Sequence, residues 1–156
     1  MQDNKSYSEV LSTPGHLISL ASRMFAKMSE ARLKPLGCGV GHLPVLVALE
    51  NGQARTQRDL AVFARMEQPS MAQMLTRMER DGMIRRTPDP ADGRSSQVTL
   101  TPTARSRLPK ACEALFKGNR DALKGFTVEE EGQFVDMLKR LIANLDQAAL
   151  VDNAGR

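Results

Sequence analysis

The side chains that most often carry out catalysis are scarce in this chain and are not spaced for it. There are two histidines and two cysteines, and Cys38 and Cys112 form neither a CxxC pair nor a cysteine–histidine cluster of zinc-ligand spacing. We also find no nucleophile–base spacing and no glycine-rich phosphate loop. The sequence therefore predicts no catalytic residues, no metal site, no cofactor and no enzyme.

Arginine is the residue type whose distribution is informative. Between Arg55 and Lys110 there are eleven basic and six acidic residues, and ten of the basic ones are arginine. The rest of the chain holds eleven basic and twelve acidic residues, so the excess positive charge lies in the centre. Arginine suits phosphate and minor-groove binding, so the charge fits a nucleic-acid partner, and a solvated basic surface is the equal alternative on charge alone.

Polar side chains in the segment 68–81 are spaced to share one side of a helix. Met71, Met74, Leu75 and Met78 form its apolar stripe, which leaves the other side for base edges in a DNA major groove. Glutamine can pair with adenine, arginine can bind guanine or a phosphate, and a helix N-terminus attracts phosphate. The alternative is an ordinary solvated helix face. The candidate DNA contacts here are Gln68, Ser70, Gln73, Thr76 and Arg77.

A second candidate for DNA contact lies in the turn-rich segment 88–96. Arg94 follows Asp92 and Gly93 at a predicted hairpin tip, where no core is within reach. An arginine at such a tip can enter a narrow minor groove, whose negative potential attracts it. We expect Asp92 to fix the side chain of Arg94 and Gly93 to supply the turn. The alternative is a plain Asp-Gly turn with a solvated arginine.

The elements that position these residues are predicted to be mainly helical. Thr13-Pro14 begins a first helix that ends near Pro35, and a short second helix stops at Asn51-Gly52. The capping-box pattern from Thr56 to Asp59 begins a third helix. The fourth is the segment 68–81, and Gly82 follows it in a position that favours a left-handed residue.

Two short strands, 83–87 and 97–100, flank the turn-rich segment. A long helix then runs from Thr101 to Gly125, where Pro109 should kink it, and a last helix follows a capping box at Thr127. The fold class is therefore mainly α with a small β-hairpin wing, a winged helix-turn-helix. The apolar side of the last helix consists of Phe134, Met137, Leu138, Leu141 and Leu145.

Several of these segments together resemble the MarR family of transcriptional regulators. They are EQPS at 67–70, RMERDGMI at 77–84, and DPADGRS at 89–95 with the closing Leu-Thr at 100–101. The resemblance runs from about residue 14 to about residue 147 in element order. Departures are Ala104, where the family often has glycine, and Ala72-Gln73, where many members have Thr-Arg. The second departure concerns base preference.

The resemblance implies a homodimer that binds a pseudo-palindromic duplex. A helical dimerisation region would comprise residues 1–40 and 101–150, the winged helix-turn-helix lobe residues 41–100, and a frayed tail residues 151–156. The apolar faces of the terminal helices fit this role independently, because isolated helices would leave them exposed. The alternative is that these faces fold back on the lobe of their own chain.

Family members usually respond to a small, often phenolic and anionic, effector bound between the dimerisation region and the lobe. The resemblance therefore implies a ligand-responsive protein, with repression as the default mode. The alternative is that these side chains are ordinary core residues and a helix cap. The matching lining residues are His16, Arg23, Met24, Met28, His42 and Leu46.

A thiol sensor is a second hypothesis, because some relatives use a reactive cysteine in the dimerisation region. Cys38 lies near Lys34 and His42, which gives modest support, while Cys112 is expected to be a small core residue. A winged-helix interaction module is a third. No apolar run approaches the length of a membrane span, and the polar N-terminus lacks the pattern of a signal peptide. We therefore expect a cytoplasmic protein with reduced cysteines and no membrane partner.

Overall fold

The computed structural model describes residues 7–154, with side chains to residue 151, as helices and one antiparallel hairpin. The helices are α1 (Pro14–Leu33), α2 (His42–Glu50), α3 (Gln57–Ala64), α4 (Gln68–Arg80), α5 (Pro102–Ala122) and α6 (Val128–Ala154). The strands are β1 (Ile84–Pro88) and β2 (Ser96–Leu100), and short 3₁₀ helices span Tyr7–Ser12 and Lys34–Leu36. The predicted fold class is confirmed.

The chain divides into two compact units, Met1–Gly118 and Asn119–Arg156. The first unit contains a core in which side chains of α2, α3, α4 and the hairpin are buried together with Leu33 from α1 and Leu108 and Ala111 from α5. The predicted dimerisation region and lobe have other boundaries than these two units, because that prediction divides the chain by role and not by compactness. That division remains a prediction.

Helix starts follow the predicted capping residues. The Thr13 hydroxyl accepts the His16 amide at 3.4 Å before Pro14 begins α1. At α3 the capping box is complete, because Thr56 Oγ1 accepts the Asp59 amide at 3.1 Å and Asp59 Oδ2 accepts the Thr56 amide at 3.0 Å. These bonds satisfy amides that a helix cannot pair within itself. The capping predictions are therefore confirmed for both helices.

Helix α4 is held in place by its apolar stripe. Met71, Leu75 and Met78 are completely buried and Met74 nearly so, as the helical period requires. The turn from α3 to α4 contains Arg65 at a left-handed φ of 50°. The helix-turn-helix thus presents the remaining sides of α4 outward.

A glycine allows the chain to leave α4 and enter the hairpin. Gly82 has a φ of 72°, a conformation that side chains with a Cβ adopt at a cost. Residue pairs run from Ile84 opposite Leu100 to Pro88 opposite Ser96. The strands therefore begin one residue away from the predicted limits. Met83 lies just before β1, and its carbonyl accepts the Thr101 amide at 3.1 Å, which continues the antiparallel pairing one residue beyond the strands.

The last two helices begin within one residue of their predicted starts. Pro109 lies inside α5, which continues on both sides of it. Thr127 and Glu130 form the predicted capping box, with the Thr127 amide donating to Glu130 Oε2 at 2.8 Å. Helix α6 continues to Ala154, and the predicted fraying of residues 151–156 stays a prediction. Gly132 lies in the first turns of α6 without ending it, no proline occurs within the helix, and residues 155–156 lie outside the described range.

Candidate nucleic-acid interface

The outer side of α4 carries the polar side chains that the sequence singles out. Gln73, Thr76 and Arg77 are exposed and line a shallow depression together with Ala72. Thr76 differs from its neighbours because its hydroxyl donates to the Ala72 carbonyl at 2.9 Å. A base could therefore meet only the methyl group of Thr76 or its remaining lone pair. Gln73 and Arg77 are better placed to donate hydrogen bonds to base edges.

The first turns of α3 and α4 are joined by a side-chain hydrogen bond. Gln57 Nε2 donates to Gln68 Oε1 at 3.1 Å, which leaves the amide hydrogens of Gln68 available as donors. Ser70 is exposed two residues further along the first turn of α4. Both predicted phosphate contacts therefore lie at the positive end of the helix dipole.

Hydrogen bonds within the wing shape its tip. Asp92 Oδ1 accepts the backbone amide of Arg94 at 3.0 Å, and the Asp92 carbonyl accepts that of Ser95 at 2.9 Å. Asp92 therefore binds the backbone of Arg94, and the expectation that it fixes the guanidinium is wrong. Gly93 and Arg94 are the central residues of this turn, and Gly93 is not among the glycines with positive φ, so the turn does not depend on the conformational freedom of glycine.

A basic groove of about 270 Å³ connects the wing to the two helix starts. Its walls bring Arg58 of α3, Arg86 of β1 and Arg94 of the tip to one place. Among the described residues, Arg58 and Arg94 form no ion pair, so their charge is available to an anion. The remaining lining residues are Gln57, Gln68, Ser95, Ser96 and Val98.

The sequence predictions contain Gln68 and Arg94 from this groove but miss Arg58 and Arg86. Arg58 could have been found, because a basic residue just inside a capping box lies beside free helix amides. Arg86 could not have been found from its own segment. Its position depends on Glu79, seven residues earlier in α4, whose carboxylate accepts Arg86 Nε at 2.9 Å.

Behind α4, His42 lies half-buried at the start of α2. His42 Nδ1 accepts the Gly39 amide at 3.1 Å, so the imidazole is neutral and protonated on Nε2. Burial lowers the pKa of His42 below its ordinary value, and the charge of Arg77 lowers it further, against a smaller opposing effect of Asp81. His42 thus holds the loop before α2 through its hydrogen bond with the Gly39 amide.

The six predicted effector residues occupy different environments. Leu46 is completely buried in the core, whereas Met24 is 65% exposed. Arg23 Nη1 donates to Ser19 Oγ at 2.9 Å. None of the six lines the basic groove or the depression on α4. Their common role in ligand binding remains a prediction, and the other three are His16, Met28 and His42.

The environment of Cys38 does not favour a reactive thiol. Cys38 is buried, and burial raises the pKa of its thiol, while the charge of Arg107 only partly opposes this effect. A thiol with a raised pKa is mostly protonated near neutral pH and is a poor nucleophile. Cys112 is partly buried against the same core.

The described residues offer neither a membrane span nor a metal site. None of the helices from residue 7 to 154 is both long and apolar enough to span a membrane. Histidine, cysteine and carboxylate side chains form no group of three suited to a metal ion within that range.

Comparison with known proteins gives consistent matches. Residues 36–95 match the MarR family. YwoH of Bacillus subtilis, an uncharacterized HTH-type transcriptional regulator, is 24% identical over 127 residues, which are 81% of this chain and 92% of YwoH. A crystal structure of an E. coli MarR variant complexed with operator DNA matches with a TM-score of 0.78 at 20% identity, covering 88% of this chain and 99% of that one.

A third match concerns a regulated relative. The structure of Bordetella bronchiseptica BpsR, whose DNA binding is regulated by 6-hydroxynicotinic acid, has a TM-score of 0.72 at 21% identity. The match covers 81% of this chain and 96% of BpsR. At these identities the solved structures show a shared fold.

Proposed function

We propose that this chain is a MarR-family winged helix-turn-helix transcriptional regulator, and that it represses transcription as a ligand-responsive homodimer on a pseudo-palindromic operator. The match of residues 36–95 to the MarR family and the similarity to YwoH support a transcriptional regulator over an enzyme. Since its partner would be chromosomal DNA, the proposal also places the protein in the cytoplasm.

The observation that carries DNA binding is the combination of the polar face of α4 with the basic groove. In our proposal α4 lies in the major groove, where Gln73 and Arg77 meet base edges. The groove that contains Arg58 and Arg94 meets the phosphate backbone, and the side chain of Arg94 enters the adjacent minor groove. Gln68 and Ser70 donate to a phosphate at the start of α4.

Homodimer formation is supported by apolar faces that each compact unit leaves exposed. In the first unit, Leu17, Leu20 and Met24 of α1 are between 40% and 65% exposed. In the second unit, α6 has no buried side chain up to residue 151, and Leu145 is 61% exposed. Faces of this kind usually mark an interface, and a two-fold pair would place two α4 helices on successive turns of DNA.

A gel-shift titration with DNA recovered from the genome by the purified protein tests DNA binding. Affinity should fall steeply as salt rises, because basic side chains displace counterions from the phosphates. Salt-insensitive binding, or none to any duplex, would contradict the proposal. Salt-insensitive binding to a protein partner would instead favour the interaction-module hypothesis.

Effector response is the finer part of the proposal. Its support is the family resemblance together with the fold shared with BpsR, which responds to an aromatic acid. An effector must bind more tightly to a conformation whose lobe spacing does not fit the operator. A panel of phenolic acids titrated into the preformed complex should therefore include compounds that release DNA. Unchanged DNA binding with every member of the panel would contradict the proposed response to phenolic acids.

The thiol-sensor alternative makes a different prediction for the same complex. Peroxide would release DNA from the wild type but not from a Cys38→Ser variant. The buried position of Cys38 and the raised pKa of its thiol favour a structural role.

A further inference from the structure

A carboxylate on α4 holds the wing strand at three atoms. Glu79 Oε1 accepts the backbone amide of Arg86 at 3.1 Å, and Glu79 Oε2 accepts Nε at 2.9 Å and Nη2 at 2.6 Å. The same Nη2 lies 3.3 Å from Thr76 Oγ1, one helical turn earlier. One arginine thus joins two positions of α4 to the middle of β1.

The hairpin is held from its other side at the same level. Arg86 is paired with Val98 across the sheet, and the Val98 amide donates to the Arg55 carbonyl at 2.8 Å. Beyond this level, the hydrogen bonds of the tip are internal, such as that from the Ala91 amide to Asp89 Oδ1 at 2.9 Å. The direction of the tip is therefore determined where Arg86 and Val98 are held.

We propose that Glu79 and Arg86 are positioning residues that set the place of the wing tip relative to α4, and thereby determine whether Arg94 reaches the minor groove. This inference rests on the proposed function, because it concerns how two parts of one protein engage the same duplex. Neither side chain need contact DNA. Their effect on binding acts through Arg94.

The chemistry of the pair suits positioning better than stabilisation. The side chains of Arg86 and Glu79 are 28% and 38% exposed, so solvent screens much of their attraction. The planar guanidinium, however, can bond Glu79 and Thr76 together, which a lysine ammonium cannot reproduce in the same geometry. Hydrogen bonds from Arg86 also lower the pKa of Glu79, so the carboxylate stays ionised near neutral pH.

A Glu79→Gln substitution distinguishes positioning from simple electrostatics by the sign of its effect. Removing a negative charge beside the interface would by itself strengthen attraction to DNA. Loss of positioning would weaken binding, but only to a duplex that contains the minor-groove segment. Glu50→Gln is the matched control, because Glu50 pairs with Arg105 at 3.2 Å and the substitution changes the net charge equally.

The experiment measures dissociation constants of the full-length protein for two duplexes. One is the recovered operator, and the other is the same site trimmed of the flanking segments that the wings would reach. We expect Glu79→Gln to weaken binding to the full operator about fivefold and to leave the trimmed duplex unchanged or more tightly bound. In an Arg94→Ala background the weakening should disappear, because the effects of two coupled substitutions on binding do not add. Glu50→Gln should match the wild type on both duplexes.

A second variant protects the test against a folding defect. Arg86→Lys keeps the charge and should reproduce the loss on the full operator, and urea unfolding of each variant checks its stability. Equal or tighter binding of both variants to the full operator would overturn the inference, as would equal weakening on both duplexes or in the Arg94→Ala background. A wild type that binds neither duplex would instead contradict the proposed function.

Discussion

Neighbouring side chains on α4 differ in what they can offer a base pair. The Thr76 hydroxyl donates to the Ala72 carbonyl and lies close to Arg86 Nη2, so its hydrogen-bonding capacity is largely used within the protein. Gln73 is exposed on the same side of the helix. A glutamine presents both a donor and an acceptor, as recognition of adenine requires. Base preference should therefore depend on Gln73 more than on Thr76.

Arg94 provides the most direct test of the wing. An Arg94→Ala substitution should weaken operator binding about tenfold, with little change between sequences, because a minor-groove arginine reads shape and charge. The salt dependence should also become shallower by about one unit of slope. Gel shifts at several salt concentrations measure both quantities.

Arg105→Ala is the control for Arg94, since it removes the same charge from an exposed ion pair on α5. It should retain wild-type affinity. If both variants weaken binding equally, general charge and not the wing accounts for the effect.

His42 should make stability depend on pH. The folded protein holds the pKa of His42 below its ordinary value of 6.5, so the unfolded chain binds this proton more readily. The stabilising contribution is therefore complete above the unfolded pKa and is lost as pH falls through the folded one. Urea unfolding at fixed protein concentration should show a falling free energy between about pH 7.5 and pH 5.

A His42→Asn variant should remove this part of the pH dependence. The asparagine oxygen can still accept the Gly39 amide, but it does not titrate in this range. His16→Asn controls for the loss of an imidazole elsewhere in the chain. A His42→Asn protein with the full wild-type slope would assign the pH dependence to other groups.

Among the secondary-structure elements, α3 depends on its cap because it is only eight residues long. A Thr56→Ala substitution removes the acceptor for the Asp59 amide and should lower the free energy of unfolding by about 1 kcal/mol. Thr103→Ala, at an exposed position in the first turn of α5, is the control and should cost less than about 0.5 kcal/mol. Equal losses would show that threonine at position 56 does not act as a cap.

Local chemistry explains which elements could be predicted from sequence. The cap at Thr56, the stripe at Met71, Met74 and Met78, and the left-handed Gly82 each depend on residues within one helical turn. Short-range interactions of this kind require a residue spacing that can be recognised in the sequence. Pro109 lies inside α5 as the sequence predicts, and the kink expected there stays a prediction.

Contacts between elements could not be predicted in the same way. The bonds from Gln57 to Gln68 and from Arg86 to Glu79 join residues that only the turn after α3 and the reversal at Gly82 bring together. Several partners are chemically equivalent for each of these long polar side chains, so sequence spacing does not choose among them. The basic groove forms where the wing meets the two helix starts, and sequence spacing does not predict that arrangement.

At the scale of the whole molecule, the property to test is the association of two copies through the exposed apolar faces. A Leu145→Asp substitution places a charge on the exposed face of α6, and a two-fold interface would contain it twice. We expect the dimer dissociation constant to rise at least about tenfold. Sedimentation over a range of concentrations measures it.

Gln147→Asp introduces the same charge at an exposed polar position of α6 and serves as the control. It should sediment as the wild type does. A wild-type protein that stays monomeric at high concentration would contradict the homodimer, whatever the variants do.

The long last helix, none of whose described side chains is buried, has a consequence for gene dosage. If its apolar face is covered only by a second copy, free protomers and the proposed dimeric repressor are linked by mass action. While most of the protein is unassembled, the amount of repressor varies with the square of the protomer concentration. Modest changes in synthesis or degradation would then alter promoter occupancy more than proportionally, even before any effector binds.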